Sequence, residues 1–194
     1  MLSKRVLVLI SCLAGVAGLG VAAIGVAPAL AETAAPPADP AELEELRLAA
    51  DRGDAAAQNN LGMMYYDGDG VAQNYGEAVR YFRLAADQGD AGGQFAVGRM
   101  YAEGRGVTQS DDEAARYFRL AADQGDADAQ FILGLVYAEG RGVAQSDGEA
   151  YFWLSLAASE RAEFAEDRDF AESLLNSPEI ADVQARVAAW KAKK

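Results

Sequence analysis

Apolar and small residues recur along this chain at two spacings: three to four residues within a segment, and 36 residues between segments. Ala57, Leu61, Met64 and Tyr65 keep helical spacing, which predicts a helix from Asp54 to about Asp67. Ala78, Tyr81, Phe82, Leu84 and Ala85 form a second stripe of the same period, expected to be buried. The polar positions repeat with the apolar ones. Ala85-Ala86-Asp87-Gln88-Gly89-Asp90 returns unchanged at Ala121 to Asp126, and an earlier copy begins at Ala49. Leu61-Gly62 becomes Val97-Gly98 and Leu133-Gly134, and Tyr65 becomes Tyr101 and Tyr137. The step defines three units, 54–89, 90–125 and 126–161, each read as two helices. The fold class predicted is all-α: stacked helix-turn-helix repeats with a 36-residue period and a C-terminal capping helix.

Local signals place the ends of these helices. Asp54, Asp90 and Asp126 follow glycine and suit the N-cap of each first helix. Gly68-x-Gly70, Gly104-x-Gly106 and Gly140-x-Gly142 end it. Asn74, Ser110 and Ser146 precede the second helices, each with a glutamate three positions on (Glu77, Glu113, Glu149), the pattern of a capping box. Gly62, Gly98 and Gly134 fall inside the first helices, where glycine costs up to ~1 kcal/mol. Their shared register predicts a neighbouring helix too close to admit a methyl group. Leu43, Leu46, Leu48 and Ala49 match a second helix, so residues 41–53 read as a leading half-repeat. Arg161 stands where the repeat has glycine, and residues 162–194 read as capping helices. Ser177-Pro178-Glu179 marks the start of the last one, with Ile180, Val183, Val187 and Trp190 on one face.

The series Ala57-Gln58, Leu61-Gly62, Tyr65, Gly68-x-Gly70-Val71, Asn74, Ala78 and Ala85-Ala86 resembles the Sel1-like repeat, a relative of the tetratricopeptide repeat. The resemblance covers about residues 41–161. It implies a right-handed α-solenoid that acts as a scaffold or adaptor in protein complexes, in exported bacterial members often for envelope signalling or assembly. Some cysteine-rich relatives bind or hydrolyse β-lactams, but the cysteines that support that reading are missing here.

Composition narrows the chemistry. The chain has 194 residues, 17 basic and 30 acidic side chains, no histidine and one cysteine. A net charge of -13 repels phosphate backbones and argues against nucleic acid as a partner. Without histidine there is no Ser-His-Asp or Cys-His nucleophile and no His-ligated zinc. Lys4 and Arg5, the apolar run Val6 to Val26, and Ala29-Leu30-Ala31 describe a signal peptide over residues 1–31, cut after Ala31. An uncleaved inner-membrane anchor is the alternative, and Cys12 only loosely fits a lipidation site. Cleavage would remove two basic and no acidic residues, taking the charge from -13 to -15. Residues 32–40, with three prolines, then read as a linker.

Catalysis is hard to seat. Beyond the signal peptide the lysines are Lys191, Lys193 and Lys194, all at the tail. Glu103 and Glu139 recur at one register, as solvated helix-end charges do. Asp67-Gly68-Asp69-Gly70 fails as a calcium loop because Val71 falls where an oxygen ligand is needed. The expectation is therefore a non-enzyme with no cofactor and no metal, a monomer in the periplasm or outside the cell, binding another envelope protein or peptide. An envelope hydrolase acting on peptidoglycan or β-lactams is the alternative. Positions that vary between units are free to serve a ligand. On the first helices these are Asn60, Ala96 and Ile132, then Met63, Arg99 and Leu135, in one stripe. By resemblance to tetratricopeptide stacks that stripe lines the concave side. Asn59, Phe95 and Phe131 share the face, and the two phenylalanines read as core.

Overall fold

The structure, a computed structural model, describes residues 40–191. The predicted signal peptide, Cys12, residues 32–39, and Lys193 and Lys194 lie outside them. Among the described residues there are nine α-helices, one 3-10 turn and no strand. Helix α1 spans Pro40–Asp51. Three pairs follow: α2 Ala55–Asp67 with α3 Tyr75–Asp87, α4 Ala91–Glu103 with α5 Asp111–Gln124, and α6 Ala127–Glu139 with α7 Asp147–Glu160. A 3-10 turn, Ala162–Phe164, leads into α8, Ala165–Ser173, and α9, Ser177–Lys191. From α1 to α8 each helix packs on its neighbours along the chain; α2 also touches α4, and α9 packs back on α7. The chain is an all-α solenoid. None of the described helices is long and apolar enough to cross a membrane.

The helix ends follow from single side chains. The Oδ1 atoms of Asp54, Asp90 and Asp126 accept the backbone N–H of Ala57, Gly93 and Ala129 at 2.8, 2.6 and 2.7 Å. Gly68, Gly104 and Gly140 then take left-handed backbone and close the same helices. The second helices are capped by Asn74, Ser110 and Ser146, whose side chains accept the N–H of Glu77, Glu113 and Glu149 at 3.1, 3.3 and 3.2 Å. The reciprocal half of the expected capping box is not made. The N–H of each cap residue already donates to the carbonyl of Tyr65, Tyr101 or Tyr137. The glutamates turn instead to Arg80, Arg116 and Arg186. A full capping box occurs at α9, between Asn176 and Glu179. Asn176, not Ser177, is thus the cap there, and Pro178 is the second helical residue.

The mid-helix glycines sit where the helices of a pair cross. A Cβ on Gly98 would lie 2.8 Å from the Phe118 ring of α5, and one on Gly134 2.7 Å from Leu154 of α7. Phe82, Phe118 and Leu154 are buried in the seam so formed. Leu84, expected in the buried stripe of α3, is exposed instead, as are Leu48 and Leu120 one unit either side. The inward positions of α3 are Ala78, Val79, Tyr81, Phe82, Ala85 and Ala86, and Leu84 falls outside that arc. Their counterpart Leu156 is buried at the carboxy end. There α9 closes the stack with buried Val183 and with Trp190, whose ring meets that of Trp153 edge-on at 5.7 Å.

A row of buried glutamines ties the units together. Gln58, Gln94 and Gln130 each donate from Nε2 to a carbonyl of the preceding helix, at Ala50, Ala86 and Ala122. In the first two units the Oε1 atom is also matched. It accepts from Gln88 at 2.7 Å and from Gln124 at 2.8 Å.

Candidate functional site

The stripe anticipated on the first helices is only partly a surface. Asn60 is exposed on α2, and Met63, three residues on, is 38% exposed. On α4 the Arg99 side chain is 38% exposed. Ile132 and Leu135 on α6 are half-buried against the carboxy-terminal core. Ala96 is 7% exposed and belongs to the core with Val79 and Phe82, so it does not contribute contact area. Its small side chain serves the close packing of α3 on α4. Phe131 is buried against Phe164, their rings stacked at 4.2 Å. Phe95 is half-buried against Phe118, at 5.6 Å between centroids.

Arg99 is already engaged within the chain. Its guanidinium donates to the Tyr66 hydroxyl at 3.0 Å and pairs with Glu103, one turn on, at 3.5 Å. Tyr66 crosses from α2 and donates to Glu103 Oε2 at 2.8 Å. Arg105 also bonds the Tyr66 hydroxyl and pairs with Glu103 at 3.1 Å. Its guanidinium lies 5.3 Å from the ring centroids of both Tyr66 and Tyr75. Burial first, and the bond to Glu103 second, push the Tyr66 hydroxyl above the ordinary phenol range, while both arginines pull it down. Two cations and one carboxylate around a phenol leave this cluster with one net positive charge on an acidic chain. Arg99 keeps N–H donors beyond those two contacts. Tyr66 was not singled out by sequence reasoning. Its signal is that the other units carry Ala102 and Ala138 at its register.

The next junction is built differently. Asp111 stands at the register of Tyr75, and Arg141 pairs with it at 2.8 Å. Glu139 has its carboxyl raised, chiefly by burial and further by Asp111, with Arg141 opposing. Neither Glu103 nor Glu139 is therefore the solvated helix-end charge expected; stacking of one unit on the next half-covers both. Among the described residues no three carboxylate or thiol side chains converge to hold a metal.

Among the described residues the architecture is an α-solenoid with a patterned surface. The Sel1 repeat model matches residues 55–90, 91–126 and 127–160. The chain belongs to the Sel1 repeat family, whose members are generally protein-interaction scaffolds. It is similar to a protective antigen present in uropathogenic Escherichia coli strains that displays an SLR fold, with 26% identity and a TM-score of 0.58. That alignment covers 78% of this chain and 41% of the antigen, so the chain spans well under half of that protein. It is also similar to a Sel1 repeat protein from Oxalobacter formigenes, with 34% identity, a TM-score of 0.58, and coverage of 74% of this chain and 98% of the other. No curated protein matches the chain.

Proposed function

We propose that the chain is an exported adaptor of the bacterial envelope that holds a segment of a partner protein along its first helices. The observation that carries this reading is the Tyr66 bridge. It draws α2 directly onto α4 while Asn60, Met63 and Arg99 stay accessible beside it. Close first helices are what an inward-curving face requires. An apolar thioether next to a cationic patch suits a partner segment carrying a carboxylate among apolar residues. The basic start, apolar run and Ala29-Leu30-Ala31 support export.

A second placement rests on Leu48, Leu84 and Leu120, which are more exposed than Met63 and repeat along α1, α3 and α5. A partner seated there would use the second helices. A photo-crosslinking residue at Met63 or at Leu120, in cells of the native envelope, separates the two placements. The expected result is an adduct from position 63 that Arg99→Glu reduces about tenfold or more, equivalent to ~1.4 kcal/mol, with Arg116→Glu having much less effect. An adduct from position 120 alone would move the partner to the second helices. The intact mass of the same envelope protein should begin at Glu32; a mass retaining residues 1–31 would show an anchor.

A further inference from the structure

The third unit gives up an ion pair that its predecessor makes. On α5 the Arg119 guanidinium holds the Asp123 carboxylate, one turn on, at 3.5 Å. One step along the repeat, the same two positions on α7 are Ser155 and Ser159. On α3 they are Arg83 and Asp87. Unit three thus replaces two long charged side chains by two small neutral ones, on a helix that α9 runs beside. Two contacts set α9 there: Gln184 donates to the Tyr151 hydroxyl at 3.3 Å, and Arg186 pairs with Glu149. The volume withdrawn by the serines leaves a cleft of about 350 Å³ between α7, α8 and α9. That is at the small end of the range for small-ligand sites, ~300–1,000 Å³.

The lining of this cleft is largely apolar, and its charges have one sign. Tyr151, Val187 and Ala188 supply the apolar part, Arg168 of α8 and Lys191 at the end of α9 the charges; no carboxylate lines it. Glu160 belongs to a neighbouring cleft that shares Ser159 and Lys191 with this one. Arg168 turns its Nε and Nη2 to Asp169, its neighbour in sequence, and keeps the donors of Nη1. Its side chain is 35% exposed, and Lys191 is exposed, so both groups are within reach of a ligand. The serines contribute space and not hydrogen bonds. Ser159 Oγ donates to the Leu156 carbonyl at 2.7 Å, and Ser155 Oγ is buried out of reach.

We propose that this cleft binds an apolar monocarboxylate, a carboxylate carried on a short aliphatic stem. The carboxylate stands in for the acidic group that Asp123 supplies one unit earlier, accepting from Arg168 Nη1 and from the Lys191 ammonium. The stem lies along Tyr151, Val187 and Ala188. An ion pair at an exposed rim is weak by itself, so the stem is required and the affinity is millimolar. Two sources carry this chemistry: the carboxy terminus of a partner polypeptide that ends in an aliphatic residue, and a free aliphatic acid. The cleft shares no residue with the surface around Asn60, Met63 and Arg99, and it stands or falls without that surface.

The test titrates the isotope-labelled full chain with acetyl-Ala-Leu bearing a free carboxylate, following the Ala188 and Lys191 backbone amide resonances. Saturable shifts are expected at millimolar probe, with the N-methylamide of the same dipeptide about tenfold weaker or worse. Hexanoate separates the sources: binding tighter than the dipeptide assigns the cleft to a free acid, weaker binding to a chain terminus. Ser159→Asp puts the acidic residue of the earlier units back at the cleft and should weaken the dipeptide about tenfold. Ser159→Ala should bind within about threefold of wild type, and Arg168→Gln about fivefold more weakly. Circular dichroism confirms that the three variants fold. Absence of a saturable shift by roughly 10 mM would overturn the proposal. So would equal binding of the acid and its amide, or undiminished binding by folded Ser159→Asp and Arg168→Gln.

Discussion

Glu139 shows how a single carboxyl records the stacking around it. Burial raises it most, Asp111 adds to that, and Arg141 opposes both without winning. The folded state therefore holds the Glu139 proton more tightly than the unfolded chain does. The stability linked to this group is fully present below the ordinary carboxylate range and is lost as pH rises through the raised value. Glu139→Gln removes that loss. Relative to wild type the variant should gain stability between about pH 4 and pH 7, measured by urea denaturation at both. A variant that instead falls behind as pH rises would show that the attraction to Arg141 outweighs burial. Tyr66 is raised by burial too, but there the consequence is different: the phenol keeps its proton through the physiological range. The O–H that donates to Glu103 thus stays available to bridge α2 and α4.

Within an element, the mid-helix glycines decide how closely a pair can close. The Phe118 ring that would meet a side chain at position 98 is 1% exposed, and the Ala114 carbonyl lies 3.3 Å from the same point. Gly98→Leu should overpack the α4–α5 seam at a cost of ~1–3 kcal/mol or more, read as a lower melting temperature. An unchanged midpoint would mean that α4 can slide off α5. The glycine register, the aspartate caps and the helix spacing were all legible in the sequence, because each signal lies within a turn or two of the residue it governs. What lay between helices was not. Glu77 and Glu113 had the spacing of a capping box, yet the N–H each would satisfy is taken by a tyrosine carbonyl from the preceding helix. Leu84 had helical spacing, but which arc of α3 faces inward depends on where α2 and α4 lie. Ala96 varied between units like a surface position while packing as core. The Tyr66 patch was hidden for a related reason, since its members come from two helices a full unit apart.

At the scale of the whole molecule, the contacts that matter are those joining one unit to the next. Gly142 turns the chain at φ +66°, and a Cβ there would lie 2.2 Å from the Asp111 carbonyl at the start of α5. Gly53 also has left-handed backbone, at φ +93°, but with no atom within 4 Å of the added carbon. Gly53→Ala should therefore carry only the conformational cost, about 1–2 kcal/mol. Gly142→Ala should cost more, and hydrogen exchange should show protection falling in α6 and α7 while α2 and α3 keep theirs. Equal effects of the two substitutions would show that the junction yields without loss. The order of packing bears on how the fold is reached as well as on how it fails. Each helix finds its main partners next to it in sequence, or next but one. No early step then has to close a long loop, and the entropy of closure is met in small instalments. A chain delivered amino end first can seat α2 on α1 and α3 on α2 before α7 has been made. Growth of this kind proceeds by addition at one end, like a filament, and α9 is the terminator that stops it.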